Sequence, residues 1–86
     1  MNKADLITAI EAKRGSTSYS IWYIGITDDP ARRKAEHETE KQNTTYWKDW
    51  HADTEAIARD IEQYFLKKGM HGGTGGGEHP TYVYMF

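Results

Sequence analysis

Four polar side chains could do hydrolytic chemistry if the fold brings them together: Tyr23, Arg33, His37 and Glu62. Arg33 and His37 are four residues apart, so a helix would set them on one face. An arginine there could pair with a phosphate and stabilise charge developing in a transition state. A tyrosine or histidine could activate or orient water. Glu62 follows Ile61, at the edge of an apolar stripe of Ile57, Ala58, Ile61 and Phe65. A carboxylate so placed can face a groove while its helix stays anchored. Mg²⁺ suits it, because that ion takes hard oxygen ligands and commonly uses only one or two carboxylates, with water and phosphate completing the shell. Mn²⁺ serves equally. Taken singly, each residue is commonplace: a core tyrosine, two solvated cations, a helix-flank carboxylate. The signal is their joint spacing.

The elements that must position them follow from pattern. Leu6, Ile7 and Ile10 recur at helical spacing over residues 3 to 14, with Asn2 able to cap and Gly15 to terminate. Tyr19 to Thr27 is rich in aromatic and β-branched residues and is expected to be a strand, apolar on both faces and therefore central. Asp29-Pro30 signals a helix start, and that helix is expected to run from Pro30 to about Gln42. It is polar nearly all round, so it belongs on the surface or against a ligand. Asn43 to Ala52, with Tyr46, Trp47, Trp50 and His51, fits no one pattern. A third helix is expected from near Asp53 to Gly69, then a glycine-rich loop, then a last strand, Thr81 to Phe86. The expected class is α+β: a short antiparallel sheet, Tyr19–Thr27 with Thr81–Phe86, flanked by about three helices in one domain of residues 1–86.

Tyr23-Ile24-Gly25, Pro30, Arg33 and His37 resemble the GIY-YIG nuclease superfamily, whose members include a nucleotide-excision repair subunit, homing endonucleases and some restriction enzymes. In that family a Tyr-Ile-Gly strand turns into a helix that presents an arginine and, in many members, a histidine one turn later. The resemblance covers Tyr19 to Gly69. It implies that Glu62 is the family's metal-holding glutamate, and that Tyr23, Arg33, His37 and Glu62 form one catalytic site. It also implies an endonuclease dependent on Mg²⁺ or Mn²⁺, acting on nucleic acid, DNA ahead of RNA, while the absence of cysteine suits a reducing cytoplasm, the expected compartment. The alternative is a catalytically inactive GIY-YIG-derived module that binds nucleic acid or regulates.

The chain departs from the family at its start. The Gly-Ile-Tyr strand, whose tyrosine is a leading candidate for activating the nucleophile, falls where this sequence has Glu11-Ala12-Lys13-Arg14-Gly15-Ser16. Tyr19 could bend into the site. The preferred substitute is the C-terminal strand, with Tyr82 and Tyr84, paired to the Tyr23 strand; Tyr84 thus joins the candidate site. A two-stranded sheet is marginal, so contact between exposed edges in a homodimer is a further expectation. The family asparagine after the glutamate falls near Thr74, inside the Gly72–Gly77 run. That run lacks the Lys-Ser/Thr end of a P-loop, which argues against nucleotide binding, and its amides form either an anion nest or a flexible connector.

Composition narrows the rest. There is no cysteine, hence no disulfide, thiolate zinc site or cysteine nucleophile. The four histidines make no zinc-type spacing. No apolar run approaches the roughly 18 residues of a membrane helix, and the N-terminal residues lack a signal-peptide pattern. The formal charge of −2 argues against tight sequence-independent DNA binding; Lys13-Arg14 and Arg32-Arg33-Lys34 are the dense basic clusters. Tyr46, Trp47 and Trp50 could stack on bases, but packing against a thin core is the expectation.

Overall fold

The structure is a computed structural model that describes residues 1–73 and 78–86. Thr74 and most of the glycine run lie outside the described residues, so neither the asparagine substitute nor the anion nest finds a place here. The elements are α1 (Lys3–Arg14), a 3-10 turn (Tyr19–Ile21), β1 (Ile24–Thr27), α2 (Pro30–Thr39), β2 (Lys48–His51), α3 (Glu55–Lys68) and β3 (Tyr82–Met85). The fold is α+β, with one antiparallel sheet in the order β1-β3-β2. Among the described residues, no helix is long and apolar enough to cross a membrane.

Three helix starts follow the expected capping chemistry. Asn2 Oδ1 accepts from the amide of Asp5 (2.8 Å), Asp29 Oδ1 from Arg32 (3.1 Å) and Thr54 Oγ1 from Ile57 (3.1 Å). Each satisfies an orphan donor of a first turn. Gly69 ends α3 in the left-handed region (φ 116°) that glycine tolerates best. Helix α2 stops at Thr39, short of Gln42. Lys41 takes a positive φ of 63°, and the chain doubles back so that the Gln42 amide donates to the His37 carbonyl (3.1 Å).

Strand β1, which begins directly after Tyr23, pairs with the C-terminal strand, Gly25 opposite Tyr84 and Thr27 opposite Tyr82. The sheet nonetheless differs from the expected one in three respects. Tyr19–Ile21 is a 3-10 turn, not strand: Ser18 Oγ accepts from the Ser20 amide (3.3 Å), and the Tyr19 hydroxyl donates to Glu11 (2.7 Å). Local serine capping and a side-chain tether override the β-forming composition. The central strand is β3, whose Val83, Tyr84 and Met85 are buried, while β1 lies at an edge. A third strand, β2, emerges from the segment that fits no pattern, with Trp50 opposite Val83 and Asp49 opposite Tyr84. With Trp50 its one apolar residue, β2 carries little period-2 signal.

Paired residues of an antiparallel sheet share a face. Ile24, Ile26, Val83 and Met85 therefore point together, into a core completed by Leu6 and Ile10 of α1 and by Ala58, Ile61 and Phe65 of α3. Gly25 and Tyr84 point the other way, toward α2, whose one buried side chain among the described residues is His37. The outer side of β1 is partly covered: the Ile24 amide donates to the His71 carbonyl (2.8 Å), and the His71 amide to that of Trp22 (2.9 Å). Gly72 keeps this crossing tight, since a β-carbon there would stand 2.5 Å from Leu66 Cδ2 and 3.1 Å from the Ile24 carbonyl oxygen.

Candidate functional site

The Tyr84 hydroxyl is the hub. It accepts from Arg33 Nε (3.2 Å) and lies 2.9 Å from His37 Nε2. On the far side of the imidazole, Nδ1 hydrogen-bonds the Gln42 side-chain oxygen. An amide oxygen only accepts, so Nδ1 carries the proton, Nε2 is the acceptor, and Tyr84 donates to it. A directed chain results: Arg33 to Tyr84, Tyr84 to His37, His37 to Gln42. Both interior members are closed off, Tyr84 and His37 each being 1% exposed.

Backbone geometry makes this possible. Arg33 and His37 share one face of α2, and Pro30 with its Asp29 cap starts that helix directly after β1. Tyr84 comes from the opposite end of the chain and reaches α2 by crossing β1 at Gly25, where no side chain stands. Aromatic rings fix it in place. Trp47 stacks on Tyr84 at 4.5 Å between centroids, and Tyr23 meets His37 edge-on at 5.0 Å and stacks on Phe86 at 5.0 Å. Such pairs contribute about 0.5–1.5 kcal/mol each beyond area burial.

Electrostatics follow the burial. Desolvation pushes the Tyr84 phenol up to about 12; the neighbouring Tyr23 and Glu62 add to this, and the Arg33 hydrogen bond opposes it. At neutral pH Tyr84 is a neutral donor. Burial alone would lower the Arg33 guanidinium, but its contacts with Tyr84 and Glu36 outweigh that and hold it above its ordinary value. The Glu62 carboxyl is raised by burial, with the charge of Arg59 opposing. Arg59 itself is engaged with Glu55 (2.7 Å), which leaves Glu62 with no ion-pair partner among the described residues.

The structure thus brings Tyr23, Arg33, His37 and Tyr84 together. Glu62 stands apart on α3, which packs on the opposite face of the sheet, and among the described residues no hydrogen bond or ion pair joins it to the four. Its charge is felt at the Tyr84 hydroxyl, and it forms no ion pair with Arg33, whose carboxylate partner is Glu36 (3.3 Å). Tyr19 is not part of the cluster, being tied to Glu11, and Tyr82 stacks on His51 (4.4 Å) away from it. Of the aromatic trio, Trp50 packs on the core, Trp47 on Tyr84, and Tyr46 stands in solvent. Gln42 belongs to the site and went unread in the sequence, and Trp47, expected to pack against a thin core, stacks on Tyr84.

A divalent ion would rest on Glu62: among the described residues no three His, Cys, Asp or Glu side chains gather as a metal-binding group. The donor fits, because a half-buried carboxylate without an ion-pair partner is relieved by a hard cation, and Mg²⁺ is satisfied with one carboxylate plus water and phosphate. Comparison with family models, with curated proteins and with solved structures gives no match to this chain.

Proposed function

We propose that this chain is a divergent GIY-YIG-type domain that hydrolyses phosphodiester bonds in nucleic acid with Mg²⁺ or Mn²⁺. The reading is carried by one observation. The Tyr-Ile-Gly strand, the Arg33–His37 helix and a tyrosine from the C-terminal strand meet at a single hydroxyl. Tyr84 stands in for the missing first strand's tyrosine in place but not in role. Its burial and its high pKa make it a positioning residue and not the base. It holds the Arg33 fork by Nε and Glu36 engages Nη1, leaving Nη2 to meet a scissile phosphate, while His37 and Gln42 hold Tyr84. Tyr23, half-buried at the margin, supplies the hydroxyl that orients water. Glu62 holds the metal, which when bound adds positive charge that polarises a phosphoryl oxygen.

A second reading has its own support. The Tyr84 hydroxyl is fully enclosed by protein partners, and the chain carries a net charge of −2. Both suit a nuclease-derived module that binds nucleic acid without cutting it. The deciding experiment incubates the protein with plasmid, with single-stranded DNA and with RNA in Mg²⁺ or Mn²⁺, and compares wild type with Glu62→Gln. Metal-dependent cleavage lost in Glu62→Gln supports the nuclease. No cleavage by wild type, with binding weakened in Arg33→Ala, supports the module. Absence of both cleavage and binding rejects the two together.

A further inference from the structure

Beside the cluster lies an open groove of about 940 Å³, and Tyr23 belongs to both. We propose that this groove holds the unpaired bases of a single-stranded nucleic acid, with Lys13 meeting its phosphate backbone. The proposal deepens the nuclease reading, and rests on it, by naming the substrate class of the same site.

Three observations converge on it. The first is surface chemistry. The large exposed hydrophobic side chains are Met1, Ile21 and Tyr46, and the latter two, 65% and 67% exposed, both line this groove. Leaving them in water in so small a chain gives no packing benefit, whereas stacked bases would cover them. The second is the supply of aromatic faces. Trp22, Tyr23, Tyr46 and Phe86 all line it. Every base offers a π-face, so such a platform is tolerant of sequence and needs bases that are not already stacked in a duplex. The third is charge. The chain has 13 acidic residues against 11 Lys and Arg, yet among the described residues the lining holds no Asp or Glu side chain. Its cation is Lys13, whose Nζ lies 5.7 Å from the Trp22 ring centroid, so a phosphate paired with Lys13 would sit beside a stacking surface. A strand seated here passes Tyr23 on its way to Arg33. Unpaired bases would therefore flank the phosphate to be cut.

The test separates binding from cleavage by working first in EDTA. Fluorescence anisotropy of a labelled oligothymidine of about eight nucleotides is compared with that of a duplex of equal length and of thymidine monophosphate. The single strand should bind at least roughly tenfold tighter than either. Tyr46→Ala, a change at a solvent-exposed ring, should weaken it by about 5- to 160-fold, the range for losing one base–aromatic stack, with an unchanged circular dichroism spectrum. Ile21→Ser should weaken it less. Equal affinity for the duplex, tight binding of the mononucleotide alone, or indifference to Tyr46→Ala would overturn the groove. Cleavage is then measured in Mg²⁺ with the same oligomers. Duplex cleavage that needs Glu62 but not Tyr46 would sink the groove and leave the nuclease standing. Tyr46-dependent binding with no cleavage would do the reverse.

Discussion

Gly25 lies beneath the ring of Tyr84: a β-carbon on Gly25 would come within 2.4 Å of both the ring Cζ and the hydroxyl oxygen. The glycine of the Tyr-Ile-Gly strand is therefore the gap through which a tyrosine from the far end of the chain crosses β1 to reach α2. Its backbone is unremarkable extended strand, so the requirement is for space and not for conformational freedom.

Gly25→Ala should expel the Tyr84 ring from its seat. Forcing one extra carbon into a packed site costs about 1–3 kcal/mol, and each kcal/mol should lower the melting temperature by roughly 4–8 °C in a domain of this size. In a double-mutant cycle with Tyr84→Ala, where the clash no longer exists, the two penalties should be clearly less than additive. Additive melting shifts would show that Gly25 matters for some other reason.

Tyr84→Phe keeps the stack on Trp47 but leaves His37 Nε2, a buried acceptor, without its donor. A buried polar group stripped of its partner costs about 1–3 kcal/mol, measurable as a shift in urea midpoint. The wild-type protein should also show a late tyrosinate absorbance near pH 12, absent in the variant. Because the folded phenol titrates above its ordinary value of 10.0, the neutral form is the one the fold favours. Its contribution to stability is complete below pH 10 and is lost as pH rises toward 12.

Much of this site was legible in the sequence, and the unread parts have physical causes. The spacing of Tyr23, Arg33 and His37 survived because it is set within one strand–turn–helix, where Asp29 and Pro30 fix the helix start. The pairing of Thr81–Phe86 with the Tyr23 strand followed from unsatisfied backbone, since β1 needed a partner. The central place of β3 was hidden, because composition shows that a strand is apolar on both faces but not which strand sits in the middle. Strand β2 was hidden by its lone apolar side chain, Trp50. Tyr19–Ile21 misled because the serine turn at Ser18 outcompetes β propensity. Gln42 was invisible as a partner of His37 because a helix end that doubles back is tertiary information.

Glu62→Gln should not destabilise the protein at neutral pH. Burial raises the Glu62 carboxyl, so the folded state holds that proton more tightly than the unfolded chain does. The stability it contributes is present below the unfolded carboxylate value and is lost as pH climbs through the folded one. At pH 7 the charged carboxylate is therefore a cost, which glutamine removes. The urea midpoint of the variant should equal or exceed that of wild type at pH 7, and the difference should shrink toward pH 4. Protons and metal compete for the same oxygens. Metal-dependent cleavage by wild type should therefore rise with pH through the Glu62 titration, and glutamine should abolish it at every pH. A variant that cuts at the wild-type rate would remove Glu62 from the metal site.

Arg33 offers the sharpest separation of binding from chemistry. Lys13 lines the groove beside Tyr23, and Arg33, whose Nη1 is engaged by Glu36, stands in the Tyr23 cluster, so these two are the cations best placed to meet phosphate there. Two phosphate contacts imply a log–log salt slope of about −1.4 on a single strand, far shallower than that of a basic transcription factor. Arg33→Ala should reduce that slope by about one contact's worth and slow cleavage by roughly two to three orders of magnitude, the scale for losing one transition-state charge stabiliser. Tyr84→Phe should change the slope little, because the guanidinium charge remains, yet slow cleavage measurably, because its Nε anchor is gone. If Tyr84→Phe leaves the cleavage rate of a folded protein untouched, the hydroxyl hub is a packing device, and Arg33 is positioned by Glu36 instead.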